Sequence, residues 1–445
     1  MGPSGFPKIV DSTSVHGEAR RRAWVVLVLS VLIFLGLLLR LQVAWERNHQ
    51  TPLDLASRLV GDETNYDGLA VALLHGSFFQ SSGRVPVYPL FIAATYYALG
   101  DRSPSKLLYV QAFVGVLVVP LTYLLARKLT GIVPAIVAAG MVAIDDLLVG
   151  HAWQIYSEIL YTPLLVAALL VLLRALQTAR LGHFAWAGAS MAVVTLCRPT
   201  TALLPLAVPL MLPRDWSLLQ KTKAFLVYGL AMTAVIAPWT YHNWREYHHF
   251  LPLTVSMGNL WLGSPEFYHL VQHGRNHLDI WGNELNPERN GGHDPFTIDG
   301  DRYFTQRAVQ SIRAEPLVYI GYSLRKAAYF WFGNPAAEWG FLAFTWWQNW
   351  PTLRRWYPYS WVRLLNMLLS RQLPLVALAA LVFLSVQARV RPLAPFLLVC
   401  AYFMLVHMIL WSELRYSEPL HPLLAIIAAI GGKAVFDRIA QKQPR

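Results

Sequence analysis

Charge is what this chain lacks. Asp, Glu, Lys and Arg make up 14% of its 445 residues, against about 25% in soluble proteins. With 55% hydrophobic and 13% aromatic residues, that shortage excludes a soluble globule and implies a polytopic membrane protein. Cysteine is scarcer still. Cys197 and Cys400 both lie in apolar runs and carry no information about redox compartment. No glycine-rich phosphate loop, nucleophile elbow or Cys/His zinc spacing occurs, which argues against a nucleotide-sugar enzyme of the soluble kind. Internal repeats, low-complexity segments and flexible linkers are also missing. Acidic residues are the scarcer charge, 25 against 37 basic, for a net charge of +12. In a membrane protein such an excess belongs in cytoplasmic loops, so no nucleic-acid partner is expected.

What the chain has is apolar runs. They cover 24–39, 107–125, 132–144, 159–173, 184–197, 200–212, 225–241, 373–386, 393–411 and 420–435. Several reach the length of a span only with their flanks, and the expected architecture is all-α with about ten transmembrane helices. Arg20, Arg21 and Arg22 precede the first run and place the N-terminus in the cytoplasm. That run is too long for a signal peptide and has no small-residue cleavage site. Alternating crossings put Arg127, Lys128, Arg174, Arg180, Arg214, Lys221, Lys223, Arg389 and Arg391 inside, with a basic cytoplasmic tail at 437–445. The expected organisation is one transmembrane domain over 1–436, with outer loops at 44–105 and 242–371. The expected location is the bacterial inner membrane.

The first outer loop carries the densest chemistry. Asp62 and Glu63 are adjacent, and Tyr66, Leu69, Ala70, Leu73 and Leu74 follow at helical spacing. That spacing predicts an amphipathic helix along the interface, with Asp62 as its N-cap. Desolvation near lipid raises a carboxylate's pKa, which suits a general base. Residues 87–99 predict a second interfacial or partly inserted helix. Arg84, stiffened by Pro86 and Pro89, suits a phosphate held by two hydrogen bonds. Glu158 opens a span, while Asp145 and Asp146 read as a solvated turn. Arg198 and Arg415 join Arg84 on the outer side, where arginines without a role are disfavoured. The run 317–332, interrupted by Arg325 and Lys326, reads as interfacial. His269, His273 and His277 recur every four residues, but Gly274 weakens a helix there and no metal site is assigned. The pattern assigns no cofactor, and a divalent metal is compatible with it.

These stretches, taken together, resemble a family. The acidic pair after the first span, the G-R-x-P-x-Y-P element at 83–89 and the aliphatic span opening with Gln111 are similar to GT-C superfamily membrane glycosyltransferases. So are Ser157-Glu158, the Arg198-Pro199 turn, A-P-W-T-Y-H-N-W at 237–244, F-L-P-L-T at 250–254 and G-N-L-W-L-G at 258–263. R-Y-S-E-P-L-H-P-L-L-A at 415–425 looks like the entry to the last span. Within the superfamily the chain resembles bacterial proteins similar to protein O-mannosyltransferases and to the lipid A aminoarabinose transferase. The resemblance covers most of 61–263 and 415–431, and the order of the motifs carries it. It implies an inverting enzyme that takes a sugar from a polyprenyl-phosphate carrier and passes it to a protein, lipid or glycan acceptor. Asp62 matches the catalytic acid, with Glu63 beside it and Glu158 as a second acidic position. Arg84 and Arg198 match positions near the carrier phosphate, with Arg415 on the same side. At His242 related sequences commonly have arginine, so a phosphate contact there departs from the pattern. The rival readings are a transporter or flippase of lipid-linked substrates, and a polysaccharide ligase. A transporter would carry mid-span charges and repeated or broken helices.

Overall fold

The computed structural model describes residues 12–49, 53–77, 81–272, 280, 282–333 and 371–442. Among the described residues there is no β-strand. In chain order the helices that matter here are α1 (Ser12–His49), α2 (Asp62–Leu74), α3 (Val87–Leu99), α4 (Pro104–Gly115) and α5 (Val118–Arg127). They continue with α6 (Ile132–Ile144), α7 (Asp146–Gly150), α8 (Glu158–Thr178), α9 (Leu181–Cys197) and α10 (Leu218–Tyr247). Beyond these lie α11 (Pro265–Gln272), α12 (Ile298–Ala314), α13 (Pro316–Phe332), α14 (Leu373–Val386), α15 (Ala394–Ile409) and α16 (His421–Lys442).

Helices dominate because lipid offers no partner for backbone N–H and C=O groups, which a helix satisfies within itself. By length and apolarity α1, α4 with α5, α8, α10 and α15 with its leading 3₁₀ turn can each cross a bilayer, and α6 with the following helical segment to Trp153 makes a sixth, bent by 44°. Three shorter apolar helices, Val87–Leu99, Leu181–Cys197 and Leu373–Val386, and an irregular apolar helical stretch, Pro199–Met211, accompany them. The chain is an all-α, multi-pass membrane protein. The lipid signature is plain on α1, where Trp24, Val26, Leu27, Val31, Phe34, Leu35 and Leu38 all point outward.

The core is one continuous apolar cluster that runs from Ala44 to Ala434. Its helices cross closely where side chains are small. A Cβ on Gly188 of α9 would stand 2.1 Å from the carbonyl oxygen of Tyr228 on α10. A smaller second cluster lies beyond α10. It packs Trp261, Phe267, Ile280, Leu285, Phe304 and Ala308 against Trp411. The segment that follows α10 therefore has its own core and docks on the chain end of α15. Two expected features need correction. Asp145 and Asp146 are not a solvated turn, being only 2% and 8% exposed. Residues 200–212 form short 3₁₀ and α turns rather than one regular helix.

Candidate active site

The start of α2, the turn before α3, the start of α8, the turn after α9 and the turn before α16 meet at one end of the bundle. Ion pairs join them. α2 begins with Asp62, and Gly61 is its N-cap; the expected capping role for Asp62 is not found, since its carboxylate is used elsewhere. One oxygen pairs with Nη2 of Arg84. The other lies 3.6 Å from Nη1 of Arg415. The side chain stays 32% exposed, so both arginines hold it without sealing it.

Arg84 is nearly buried and is boxed by rings. Its guanidinium carbon lies 4.7 Å from the centroid of Tyr66 and 5.6 Å from that of Phe296. Both distances fall within the range of cation–π attraction. Tyr66 comes from the buried face of α2, where Glu63, Tyr66, Asp67 and Ala70 share one side at spacings of three and four. Phe296 comes from far along the chain. It is seated by Ser82, whose hydroxyl donates to the Phe296 carbonyl at 2.5 Å. It also needs a glycine beneath it, because a Cβ on Gly83 would meet its ring at 2.9 Å.

Glu158 heads α8 and pairs with Nη1 of Arg198, which follows α9. Arg415 also forms an ion pair with Glu413, its Nε 2.8 Å from a carboxylate oxygen. The Tyr416 ring backs both cations, 5.1 Å from each guanidinium carbon, and Tyr156 lies 5.5 Å from Arg415. Three arginines thus meet three carboxylates, Asp62, Glu158 and Glu413, and the cluster is balanced in charge. Next to it His151 pairs with Glu418.

The two adjacent acids have opposite environments. Burial raises the Asp62 carboxyl, but Arg84 and Arg415 outweigh it and hold the group below the ordinary carboxylate range. The expectation that a lipid-side location would raise Asp62 is therefore overturned by its partners. Glu63 goes the other way: burial lifts it, and Arg47 and two backbone N–H groups only partly offset this. Consecutive helix residues point roughly 100° apart, and Glu63 turns inward. It accepts from Nη2 of Arg47 at 3.2 Å, from the Ile155 amide at 3.2 Å and from the Val60 amide at 3.5 Å. That ties α1 to α2 and to the turn before α8. Glu63 is 2% exposed, and its contacts are those of a tether.

The remaining candidates are placed as follows. His242 sits on α10 with its ring 5.2 Å from that of Trp239, which packs with Leu196, Leu69, Leu73 and Val87 on the flank of α2 and α3. His269 faces Glu315 at 3.0 Å. His273, His277, Gly274 and Asp279 lie outside the described residues. Among the described residues no group of three or more His, Cys, Asp or Glu side chains is arranged to hold a metal ion. Tyr66, Phe296, Glu413 and Tyr416 were not foreseen. The E-L-R-Y run at 413–416 gave a local signal for two of them. Phe296 gave none, because a lone aromatic in a Gly- and Pro-rich stretch carries no periodicity.

Comparison with known proteins adds to this geometry. Residues 84–242 match the model of the family described as dolichyl-phosphate-mannose-protein mannosyltransferase. No curated protein sequence matches the chain. Among solved structures, oligosaccharyltransferase AglB from Archaeoglobus fulgidus, in complex with an inhibitory peptide and a dolichol-phosphate, is 16% identical with a TM-score of 0.57. The match covers 95% of this chain and 51% of that one. The apo form of the Archaeoglobus fulgidus oligosaccharyltransferase is 17% identical with a TM-score of 0.54, covering 94% and 51%. ArnT from Cupriavidus metallidurans, bound to undecaprenyl phosphate, is 16% identical with a TM-score of 0.41, covering 95% and 81%. The chain spans about half the length of the AglB structures. It shares the helical membrane fold of the AglB structures, and over residues 84–242 its sequence matches the pattern of the family described as dolichyl-phosphate-mannose-protein mannosyltransferase.

Proposed function

We propose that the chain is an inverting glycosyltransferase that moves a sugar from a polyprenyl-phosphate carrier to an acceptor at the outer face of the membrane. The observation that carries this reading is Asp62, a partly exposed carboxylate held between Arg84 and Arg415 beside the Glu158–Arg198 pair. Donor phosphate recruits the N–H groups of Arg84, Arg198 and Arg415, and they stabilise the departing polyprenyl phosphate. As those arginines turn to phosphate, their hold on Asp62 weakens and its basicity rises. Asp62 then takes the proton of the attacking acceptor hydroxyl. Glu158 keeps Arg198 in place, and Glu63 holds the frame on which Asp62 stands. His242 is proposed to flank the donor path. Both termini are cytoplasmic, the membrane is a bacterial inner membrane, and the transmembrane domain is single. The dolichol-phosphate bound by AglB and the donor in the name of the matched family support a polyprenyl-linked donor.

The test is transfer from a radiolabelled polyprenyl-phosphate sugar by purified protein in vesicles. Sugar release that collapses in Asp62→Asn supports the reading. Near wild-type turnover in that variant removes Asp62 as the base. Movement of labelled lipid across the bilayer without sugar release identifies a flippase instead.

A further inference from the structure

α13 lies in the segment between α10 and α14, and the proposed reaction gives this helix no role. Lys326, in its middle, is 0% exposed. A buried ammonium is costly unless its N–H groups are satisfied, and burial pushes this one down to about 7. Its partners are carbonyl oxygens: Gly263 at 2.9 Å, Leu410 at 2.9 Å and Ile409 at 3.4 Å. Ile409 ends α15 and Leu410 caps it, so the ammonium sits where a helix terminus attracts cations. Gly263 has to be small there, because a Cβ would stand 2.7 Å from the oxygens of both Ile409 and Leu410. The grip closes from the other side too: the Ser412 hydroxyl donates to the Lys326 carbonyl at 3.0 Å. Lys326 thus fixes the chain on both sides of Trp411, four residues before Arg415.

One helical turn further, α13 makes a second and independent connection. The Phe330 ring stacks on His407, with centroids 5.5 Å apart. His407 stacks on Tyr416 at 4.4 Å, the planes only 11° apart. Tyr416 is the ring that backs Arg198 and Arg415.

We propose that Lys326 is a positioning residue that sets the turn 410–416 so that Arg415 reaches Asp62 and Tyr416 supports both arginines. This rests on the glycosyltransferase reading for its kinetic consequence but not for its structural one. Lys326→Met removes the three N–H donors and keeps an unbranched side chain. The expected result is faster amide hydrogen exchange in 410–416 of the vesicle-bound protein. Donor KM rises about tenfold with kcat within about twofold. In an Arg415→Lys background the same change costs less than about twofold, because its target is already lost. Unchanged exchange in 410–416 overturns the proposal, and so do additive effects in the two backgrounds. If wild-type protein transfers no sugar, the glycosyltransferase reading falls and the exchange measurement alone decides the positioning role. Should Lys326→Met fail to fold, Lys326→Gln, which keeps a polar side chain but loses the charge and one N–H donor, is read for the same outcomes.

Discussion

Asp62 and Asp145 are each held by ion pairs, and the proposed reaction uses only the first. Asp145 is 2% exposed. One of its oxygens accepts from the Leu147 and Leu148 amides at 3.0 and 3.1 Å, and the other from His421 at 2.7 Å. Arg40, deep in α1, faces the same point and donates to the Ala143 carbonyl at 3.4 Å. Three donors of the fold hold this carboxylate, and it ties the break between α6 and α7 to α16. Asp62 has two arginines, does not cap its helix and keeps about a third of its side chain open. Both acids are paired with cationic side chains or histidine, so pairing alone does not separate them. What separates them is whether the partners are rigid backbone or side chains that a ligand can recruit.

The sharpest way to test that contrast is to neutralise both acids. Asp62→Asn should lower transfer by about 10²–10⁴-fold, the range of a lost general base, with the thermal midpoint preserved. Asp145→Asn should leave transfer within about threefold and cost about 1–3 kcal/mol of stability, read by thermal unfolding in detergent. The reverse pattern would break the comparison. Next in size, Arg198→Lys should raise donor KM about tenfold with kcat little changed, since a lysine cannot give two parallel hydrogen bonds to phosphate.

A pH series sharpens the same point. Asp62 is held below its ordinary value of 3.8. The contribution of its ion pair is therefore complete above that value and is lost as pH falls through the lower folded value. Arg84→Gln removes the largest depressing influence while burial remains. The acid limb of kcat/KM should then move up by about one pH unit or more. An unmoved limb would show that another group titrates. The smallest effect is expected at Phe296→Leu, which thins one face of the Arg84 box. Donor KM should change about threefold, matching a cation–π contribution of about 0.5–1 kcal/mol.

The fold was legible because membrane helices announce themselves by composition. α3 and α6 start and stop where the residues say, since a Pro-bounded or Gly-bounded apolar run has one obvious solution. Asp62, Arg84, Glu158, Arg198 and Arg415 were legible because each interrupts or abuts an apolar run, where charge is costly. Their convergence was not: it depends on which helix ends meet, and no periodicity encodes that. Glu63 shows the limit most clearly. Only the burial of one face of α2 distinguishes it from its neighbour, and that face is chosen by Arg47 and by the Ile155 amide, 16 and 92 residues away. Asp145 misled for the same reason, because a pair of acids between apolar runs looks like a solvated turn until His421 arrives from the other end of the chain.

The balance of three arginines against three carboxylates has a consequence for turnover. On the proposed reaction the donor is a phosphodiester with one negative charge, and the product is a monoester carrying close to two. A site of fixed positive charge would grip the product harder than the substrate and stall. Here Asp62 takes up a proton in the same step, so the site gains one positive charge only while the leaving group is becoming more negative. When Asp62 gives that proton to water, the site returns to neutrality and its hold on the spent carrier relaxes. The acid that starts the reaction is then also the group that ends the enzyme's grip on its product.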